Sequence, residues 1–209
     1  MIISVVSQKG GVGKSALART LAAAYDKADW AVLLADLDYG QTTSQRWAEK
    51  RASLVKTQLE TLTFRQASEA IKREDEFDLI VIDGAPHATR GTLEAARASA
   101  LVLIPTGSSV DDLHPTASLY RELAAEIDPA KIFCVLIKTT SDHQKGEAVS
   151  TLSALGIQCI IGSIPNRAGY IEALDAGKSL TETRYQPINS VARQVVQAIG
   201  QEVKKRMPA

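Results

Sequence analysis

The chain has few aromatic residues, no net charge and no long apolar run. Aromatics make up 5% of its 209 residues, so we expect an aliphatic core. The formal net charge is zero, which excludes nucleic-acid binding through bulk charge and leaves only a local basic patch for it. The apolar runs are strand-length, far short of the roughly 20 residues that span a membrane, and no secretory signal opens the chain.

Cysteine is also scarce. Cys134 and Cys159 both lie in apolar, strand-like runs, so we expect two buried free thiols and not a metal or redox centre. No internal repeat or low-complexity linker divides the sequence, which favours one domain over residues 1–209.

Apolar strand-length segments alternate with helical ones along the whole chain. Such strands between helices indicate a parallel sheet covered on both faces, and right-handed crossovers make this a three-layer α/β/α fold with a mostly parallel central sheet. The predicted strands lie near 2–7, 31–38, 57–64, 77–83, 100–105, 132–138 and 158–164, and the predicted helices near 16–24, 43–52, 66–73, 92–98, 115–127, 147–155, 170–176 and 189–206.

The first strand is followed by a glycine-rich turn and the start of a helix. Glycines bring backbone N–H groups close to phosphate oxygens, and a helix N-terminus adds unpaired donors and partial positive charge. We therefore predict a phosphate cradle in which Lys14 contacts the β- and γ-phosphates of ATP and Ser15 binds Mg²⁺. The predicted nucleotide-binding residues are Gly10, Gly11, Val12, Gly13, Lys14, Ser15 and Ala16.

Two strand ends carry acids that suit the same site. Asp83 follows the apolar run Leu79–Ile82, and Asp36 and Asp38 alternate at the end of an earlier strand. Ligands of parallel sheets sit at the carboxyl ends of the strands, so these acids and the cradle should meet there. Asp83 is predicted to hold Mg²⁺ through a bound water, and an aspartate that only caps the strand is the structural alternative.

A second lysine, Lys9, separates this loop from the usual P-loop pattern, which would require glycine where the chain has Gln8. The sequence K-G-G-x-G-K-S resembles the deviant Walker A motif of the ParA/MinD ATPases. In that family the equivalent lysine crosses the interface of an ATP-sandwiched homodimer and contacts the other subunit's nucleotide. The resemblance thus implies a catalytic role for Lys9 beside Lys14.

The same resemblance assigns the earlier acids to the first nucleotide switch, D-x-D-P-Q in the family. Asp36 would then belong to the Mg²⁺ shell, and Asp38 would position or activate the attacking water. Here Tyr39 replaces the proline, and Gly40 intervenes before Gln41. Thr42 and Thr43 are alternatives to Gln41, and a merely structural acidic turn stays open.

Three further segments resemble family features. Gly84-Ala85-Pro86 resembles the second switch, with the Gly84 N–H near the γ-phosphate. Pro165 and Asn166 resemble the loop that packs beside adenine, and Arg167 would face the base, the other subunit or DNA. Further expected contacts are Lys138 with the base and Ser108, Asp111 and Asp112 in an interface loop.

Basic residues accumulate towards the end of the sequence. The last helix is predicted to bury Val191, Val195, Ile199 and Val203 and to present charge elsewhere. We expect a DNA-binding face here, although a solvated face that complements the helix dipole is the plain alternative. The candidate DNA-binding residues are Lys178, Arg184, Arg193, Lys204, Lys205 and Arg206.

The resemblance implies a ParA-like DNA-partitioning ATPase that is cytoplasmic and nucleoid-associated. ATP and Mg²⁺ would close a homodimer on non-specific DNA, and a ParB-like adaptor on a plasmid or other cargo would stimulate hydrolysis. Too few residues precede the first strand for a helix-turn-helix domain. One alternative is a MinD-like membrane-associated ATPase, which the tail disfavours because Met207 is its one bulky apolar residue. The other is a metabolic P-loop enzyme, such as an amidoligase or an iron–sulfur reductase.

Overall fold

The computed structural model describes residues 1–39, 43–55, 59–85 and 90–207. A seven-stranded sheet runs through the molecule in the order β3-β2-β4-β1-β5-β6-β7, and every strand pair is parallel. Among these residues no helix is long and apolar enough to cross a membrane. The strands are β1 (Ile2–Val5), β2 (Val32–Asp36), β3 (Glu60–Thr63), β4 (Leu79–Asp83), β5 (Leu101–Thr106), β6 (Ile132–Thr139) and β7 (Cys159–Pro165).

Helices connect successive strands and cover both faces of the sheet. Within the described ranges they are α1 (Lys14–Asp26), α2 (Thr43–Leu54), α3 (Ala67–Ile71), α4 (Arg90–Ala98), α5 (Val110–Ala124), α6 (Asp142–Ala154), α7 (Ala168–Asp175) and α8 (Gln186–Lys204), with short 3₁₀ turns at Glu74–Glu76 and Pro129–Lys131. The predicted three-layer α/β/α fold is confirmed, and the sheet is wholly parallel.

The two faces of the sheet belong to different cores. On one face, Ile3, Val81 and Val135 pack with Leu17 of α1 and Val195 of α8. Their sequence neighbours point the other way, towards α3 and α4 or towards α5 and α6. This alternation explains why the central strands are almost continuously apolar: both sides of each strand are buried.

Three helices begin three or more residues earlier than the sequence indicated. α5 begins at Val110 and not near Pro115, because Ser109 precedes it in an extended conformation and acids occupy its first turn. α6 begins at Asp142, where the Ser141 side chain accepts a hydrogen bond from the Gln144 N–H (3.2 Å). α8 begins at Gln186, with a proline in its first turn.

Two burial predictions were partly wrong. Val191 is only half-buried, because the buried stripe of α8 passes through Ala192, Val195, Ile199 and Val203. Cys134 is fully buried, but Cys159 lies at the start of edge strand β7 and is half-buried. Both thiols are free, and burial raises the pKa of Cys159 to about 11, so it is protonated and weakly reactive at neutral pH.

Candidate functional site

The glycine-rich turn crosses the carboxyl end of β1 and leads directly into α1. The first hydrogen bond of the helical ladder joins the Leu17 N–H to the Gly13 carbonyl (3.0 Å). The N–H groups of Lys14, Ser15 and Ala16 therefore lie ahead of that ladder and remain available to an anion. Lys14 itself is buried, 9% exposed, and its ammonium makes no hydrogen bond to a described residue.

Two positions in this turn require glycine. Gly13 has φ +97°, and a Cβ there would lie 2.8 Å from Ile137 Cδ1 on β6. Gly11 has φ +72°. Because L-residues rarely adopt such angles, the cradle depends on these two glycines for its shape.

The two strand-end acids lie side by side. Asp36 and Asp83 are direct partners in the register of β2 with β4, and both are buried. Asp36 accepts hydrogen bonds from the Asp38 N–H (2.8 Å) and the Ser44 N–H (3.3 Å). Asp83 Oδ2 accepts from the Ser44 hydroxyl at 3.5 Å, while Asp83 Oδ1 is buried with no hydrogen-bond partner among the described residues.

The buried position of Asp83 beside Asp36 shifts the pKa of its carboxyl. Burial and, next, the charge of Asp36 raise the pKa of Asp83 to about 6, against the opposing effects of Ser15, Lys14 and Arg19. Carboxylate and hydroxyl oxygens are the ligands that Mg²⁺ prefers. The buried Asp83 carboxyl has one oxygen with no partner among the described residues, and the Ser15 hydroxyl at the start of α1 is near enough to lower its pKa. The pair therefore fits a divalent cation.

Lys9 lies at the rim of the cradle, and α5 holds its ammonium. Lys9 Nζ is 2.5 Å from Asp112 Oδ1 and 3.3 Å from the Asp111 carbonyl oxygen. Pro115 explains the second contact: it has no N–H, so the carbonyl four residues earlier has no helical donor and is left for Lys9. The Lys9 side chain remains 40% exposed, so the contact can be exchanged for another anion.

The segment predicted to lie beside adenine borders a small cavity. Pro165, Asn166 and Lys138 surround about 50 Å³ next to Ala16, and Arg167 and Tyr170 also line it. Lys138 has φ +59°, and its ammonium donates to the Gly11 carbonyl at 2.6 Å. The structure thus brings these residues together beside the cradle, and it places the Lys138 charge on the cradle itself.

The prediction for Gly84 was wrong for this conformation. Its N–H donates to the Val5 carbonyl (2.9 Å), and a Cβ there would lie 2.9 Å from the same oxygen, so the amide is engaged in the sheet. Gly40, Gln41, Thr42 and Pro86 lie outside the described residues. Asp38 is half-buried beside Asp36, and Thr43 is the exposed first residue of α2.

The six candidate DNA-binding residues do not form one face. Lys178, Arg184 and Arg193 lie near the start of α8, whereas Lys204 to Arg206 lie at its far end. α8 is 19 residues long and so spans about 27 Å. At the far end, Lys205 and Arg206 pair with Glu202 (2.6 and 2.9 Å), and Arg206 also contacts Ala130 at the amino end of β6. The two groups therefore lie at opposite ends of the sheet.

Three residues of the site were missed at the sequence level. They are Arg19 of α1 and Ser44 of α2, which adjoin the acid pair, and Trp47 of α2, which packs against Arg19. Arg19 donates to the Ser44 hydroxyl from Nε (3.3 Å) and Nη2 (3.2 Å) and lies over the Trp47 ring. Their only sequence signal is a polar residue in an otherwise apolar helical face of α1, and that signal does not identify a partner.

Fold and site together define a nucleotide-binding protein of the three-layer α/β/α P-loop class. Residues 3–180 match the model of the CobQ/CobB/MinD/ParA nucleotide binding domain, and the chain belongs to this family.

Known relatives are consistent with that assignment. The chain is 28% identical over 143 residues to the maintenance of carboxysome distribution protein A of Gloeobacter kilaueensis, a match that covers 63% of this chain and 65% of the relative. It superposes on the cell division protein MinD of Aquifex aeolicus with a TM-score of 0.74 at 18% identity, covering 96% of each chain. It also superposes on a protein named as a plasmid partition protein of Borrelia burgdorferi, solved with AMPPNP, with a TM-score of 0.72 at 18% identity, covering 96% of this chain and 98% of the other.

Proposed function

We propose that the protein is a ParA-like positioning ATPase. ATP and Mg²⁺ would close two copies around their nucleotides, the dimer would bind DNA without sequence preference, and a ParB-like adaptor on a cargo would stimulate hydrolysis and release. The observation that carries this proposal is Lys9: a second loop lysine that lies at the cradle's rim, half-exposed, and is held by an exchangeable contact with Asp112.

Each residue has a role that its position supports. The N–H groups from Gly10 to Ala16, with Lys14, would hold the phosphates, and the cavity beside Pro165 and Asn166 would take an edge of the base. Asp38, next to Asp36, would orient the attacking water. Ser15 and Asp83, with Asp36 behind them, would hold Mg²⁺, which supplies charge neutralisation of the phosphates when it is bound.

Lys9 would act across the dimer. Lys14 already serves the phosphates of its own protomer, and an ammonium at the rim can reach a nucleotide that faces it from a second copy. Positive charge placed on the transferring phosphoryl group stabilises the transition state, as an arginine finger does. Phosphate contacts made across the interface would also make the dimer depend on ATP.

The proposed cargo is a plasmid or a protein assembly. The Gloeobacter relative is named for carboxysome distribution, and the Borrelia neighbour is named for plasmid partition. DNA binding would use the exposed basic residues near the start of α8, Lys178, Arg184 and Arg193. Pairing two weak faces would convert weak phosphate contacts into useful avidity.

The test is binding to a non-specific DNA duplex at fixed salt, with no nucleotide, ADP or ATP, each with Mg²⁺. Wild type, Lys9→Ala and Lys27→Ala are compared, with self-association measured by light scattering in the same samples. Lys27 is an exposed lysine just after α1, at the opposite end of that helix from the cradle, so it matches the charge change.

We expect wild type and Lys27→Ala to associate and to bind DNA only with ATP, and Lys9→Ala to do neither. ATP-dependent association without DNA binding would reject the DNA step and redirect the search to lipid vesicles. Association that persists in Lys9→Ala would reject the role given to this lysine.

A further inference from the structure

Arg19 is a half-buried cation behind the acid pair. Burial lowers the pKa of its guanidinium, and the negative charges of Asp83 and Asp36 oppose that effect. A guanidinium stays protonated in proteins, so a full positive charge lies beside the two carboxylates. Its position on α1 is one turn after Ser15 and faces away from the nucleotide cradle towards α2.

Ser44 joins this cation to both acids. Its hydroxyl accepts from Arg19 Nε and Nη2 and lies 3.5 Å from Asp83 Oδ2, while its backbone N–H donates to Asp36 Oδ2. The residue is fully buried and belongs to the first turn of α2. The start of α2 is therefore fixed by the same charges that would meet a metal ion.

The contacts continue through Trp47. This ring is 2% exposed and has Arg19 at 5.9 Å and Arg51 at 5.5 Å from its centroid. Its Nε1 donates to the Lys178 carbonyl (2.9 Å), and Arg51 pairs with Glu182 (2.8 Å). The segment 178–182 is thus held by α2, and the exposed Lys178 side chain belongs to it.

We propose that Arg19 is a positioning residue that balances the acid pair and transmits the arrival of a divalent cation with nucleotide, through Ser44 and Trp47, to segment 178–182. The inference rests on the proposed binding of Mg²⁺ and nucleotide at this site. A dication bound at Asp83 would neutralise the two carboxylates in place of Arg19 and would repel its guanidinium. Because Arg19 bonds to Ser44 and covers Trp47, it cannot shift without changing the surroundings of both residues.

The charge of Arg19 and its hydrogen bonds to Ser44 can be tested with separate variants. Removing the charge with Arg19→Gln leaves the carboxylates less neutralised. The Mg²⁺ midpoint, which is the Mg²⁺ concentration that half-saturates ADP binding in calorimetry, should therefore fall about fivefold or more. Ser44→Ala keeps the charge and removes the hydroxyl bridge, so the Mg²⁺ midpoint should stay within about twofold, while Trp47 should no longer sense the ligand. Arg19→Lys keeps the charge but not the paired donors, and should retain the midpoint and part of the Trp47 response.

The readout is tryptophan fluorescence in a Trp30→Phe parent, in which Trp47 is the remaining tryptophan of the two in the sequence. MgCl₂ alone, ADP with EDTA, and ADP with MgCl₂ are titrated into each variant. ADP binding is measured in parallel by calorimetry, and folding by thermal unfolding. Arg46→Gln is the matched control, because Arg46 is an exposed arginine on the same helix as Ser44 and Trp47.

The expected result is an emission change with ADP and MgCl₂ in the parent and in Arg46→Gln, and its loss in Arg19→Gln and Ser44→Ala, which still bind ADP. An unchanged emission response and Mg²⁺ midpoint in Arg19→Gln would overturn the inference while leaving the proposed function intact. If the parent binds no ADP, the proposed function fails and the inference fails with it. Should Arg19→Gln not fold, Arg19→Lys and Ser44→Ala decide the question by the same readouts.

Discussion

Charged residues gather at two ends of this molecule, and the two groups differ in how completely they are paired. At the carboxyl edge of the sheet, neither the buried Lys14 ammonium nor one buried oxygen of Asp83 has a hydrogen-bond partner among the described residues. At the far end of α8, Lys205 and Arg206 share the carboxylate of Glu202. We refer to these regions as the carboxyl edge and the distal end.

This difference separates charges that are compensated within the fold from charges that are not. At the distal end, the hydrogen bond from Lys205 lowers the pKa of Glu202, burial opposes it, and Arg206 lowers it further, so Glu202 is compensated within the fold. At the carboxyl edge, burial and the charge of the adjacent Asp36 raise the pKa of Asp83 and disfavour its ionisation. Folding tolerates such unfavourable groups where a cation and phosphates later compensate them.

The largest effect should come from Lys14→Gln. We expect a loss of ATP affinity of about 100-fold or more, because no other ammonium is buried in the cradle to meet the β- and γ-phosphates. Lys204→Gln makes the same chemical change at the exposed distal end and should leave affinity within about twofold. Calorimetric titration of both variants with ATP and Mg²⁺ measures the two affinities. Equal losses of ATP affinity would show that the carboxyl edge and the distal end do not differ in this respect.

Asp83→Asn should stabilise the metal-free protein at neutral pH. The pKa of Asp83 is about 6 in the folded chain against 3.8 ordinarily, so the folded state binds an extra proton between those values. Stability therefore falls as pH rises from about 4 to about 6, and the asparagine removes a penalty of about 2–3 kcal/mol above pH 6.

Urea unfolding in EDTA at pH 4, 5, 6 and 7 measures this effect as the difference between Asp83→Asn and wild type. The difference should grow with pH and level off above about pH 6, while ATP binding in Mg²⁺ is lost in the variant. A difference that does not vary with pH would show that folding does not raise the pKa of Asp83, and that Asp83 is no less compensated than Glu202 of the distal end.

Asp112→Asn should release Lys9. Burial raises the pKa of Asp112, but hydrogen bonds from Lys9 and Ser109 outweigh it and bring that pKa below its ordinary value, so the contact is a real charge pair. Because the pair is partly exposed, its loss should lower the protein concentration for half-maximal ATP-dependent association by only about two- to fivefold.

Asp111→Asn is the matched control for this change. Its backbone carbonyl, and not its carboxylate, accepts from Lys9, so the contact survives the substitution. Analytical ultracentrifugation with ATP and Mg²⁺ over a range of protein concentrations gives the midpoints. Weaker association of Asp112→Asn than of Asp111→Asn would mean that Asp112 supports the interface and does not compete with it.

The sequence predicted well the positions of residues that are set by their neighbours in the chain. The cradle from Gly10 to Ala16 and the acids Asp36 and Asp83 follow from a strand, a turn and a helix in succession, and parallel strands bring their carboxyl ends to one edge. It predicted poorly which residues share one surface of the folded chain. The distal basic residues are close in sequence to Arg193, but the length of α8 separates them from it.

Contacts between remote segments left no pattern to recognise. Arg19 meets Ser44 across 25 positions, and Trp47 meets Lys178 across 131. Pro115 misled the prediction of α5 because proline usually opens a helix, whereas here its missing N–H leaves a carbonyl for Lys9. The substitution of Tyr39 for the family's proline is accompanied by another remote contact, since Arg65 lies over its ring at 4.6 Å.

The smallest effect should come from the distal end itself. Lys205→Gln removes one of two partners of Glu202, and an exposed pair of this kind contributes about 0–1 kcal/mol, so the free energy of unfolding should change by less than about 0.5 kcal/mol. ATP-dependent DNA binding should stay within about twofold, because Lys205 is engaged with Glu202 and lies at the opposite end of the sheet from Lys178. Lys178→Gln, which leaves the backbone carbonyl that Trp47 contacts, should weaken it at least about threefold and reduce the salt dependence. If Lys205→Gln weakens DNA binding as much as Lys178→Gln does, the distal end is part of the nucleic-acid surface, and complete internal pairing of a charge is no guide to its role.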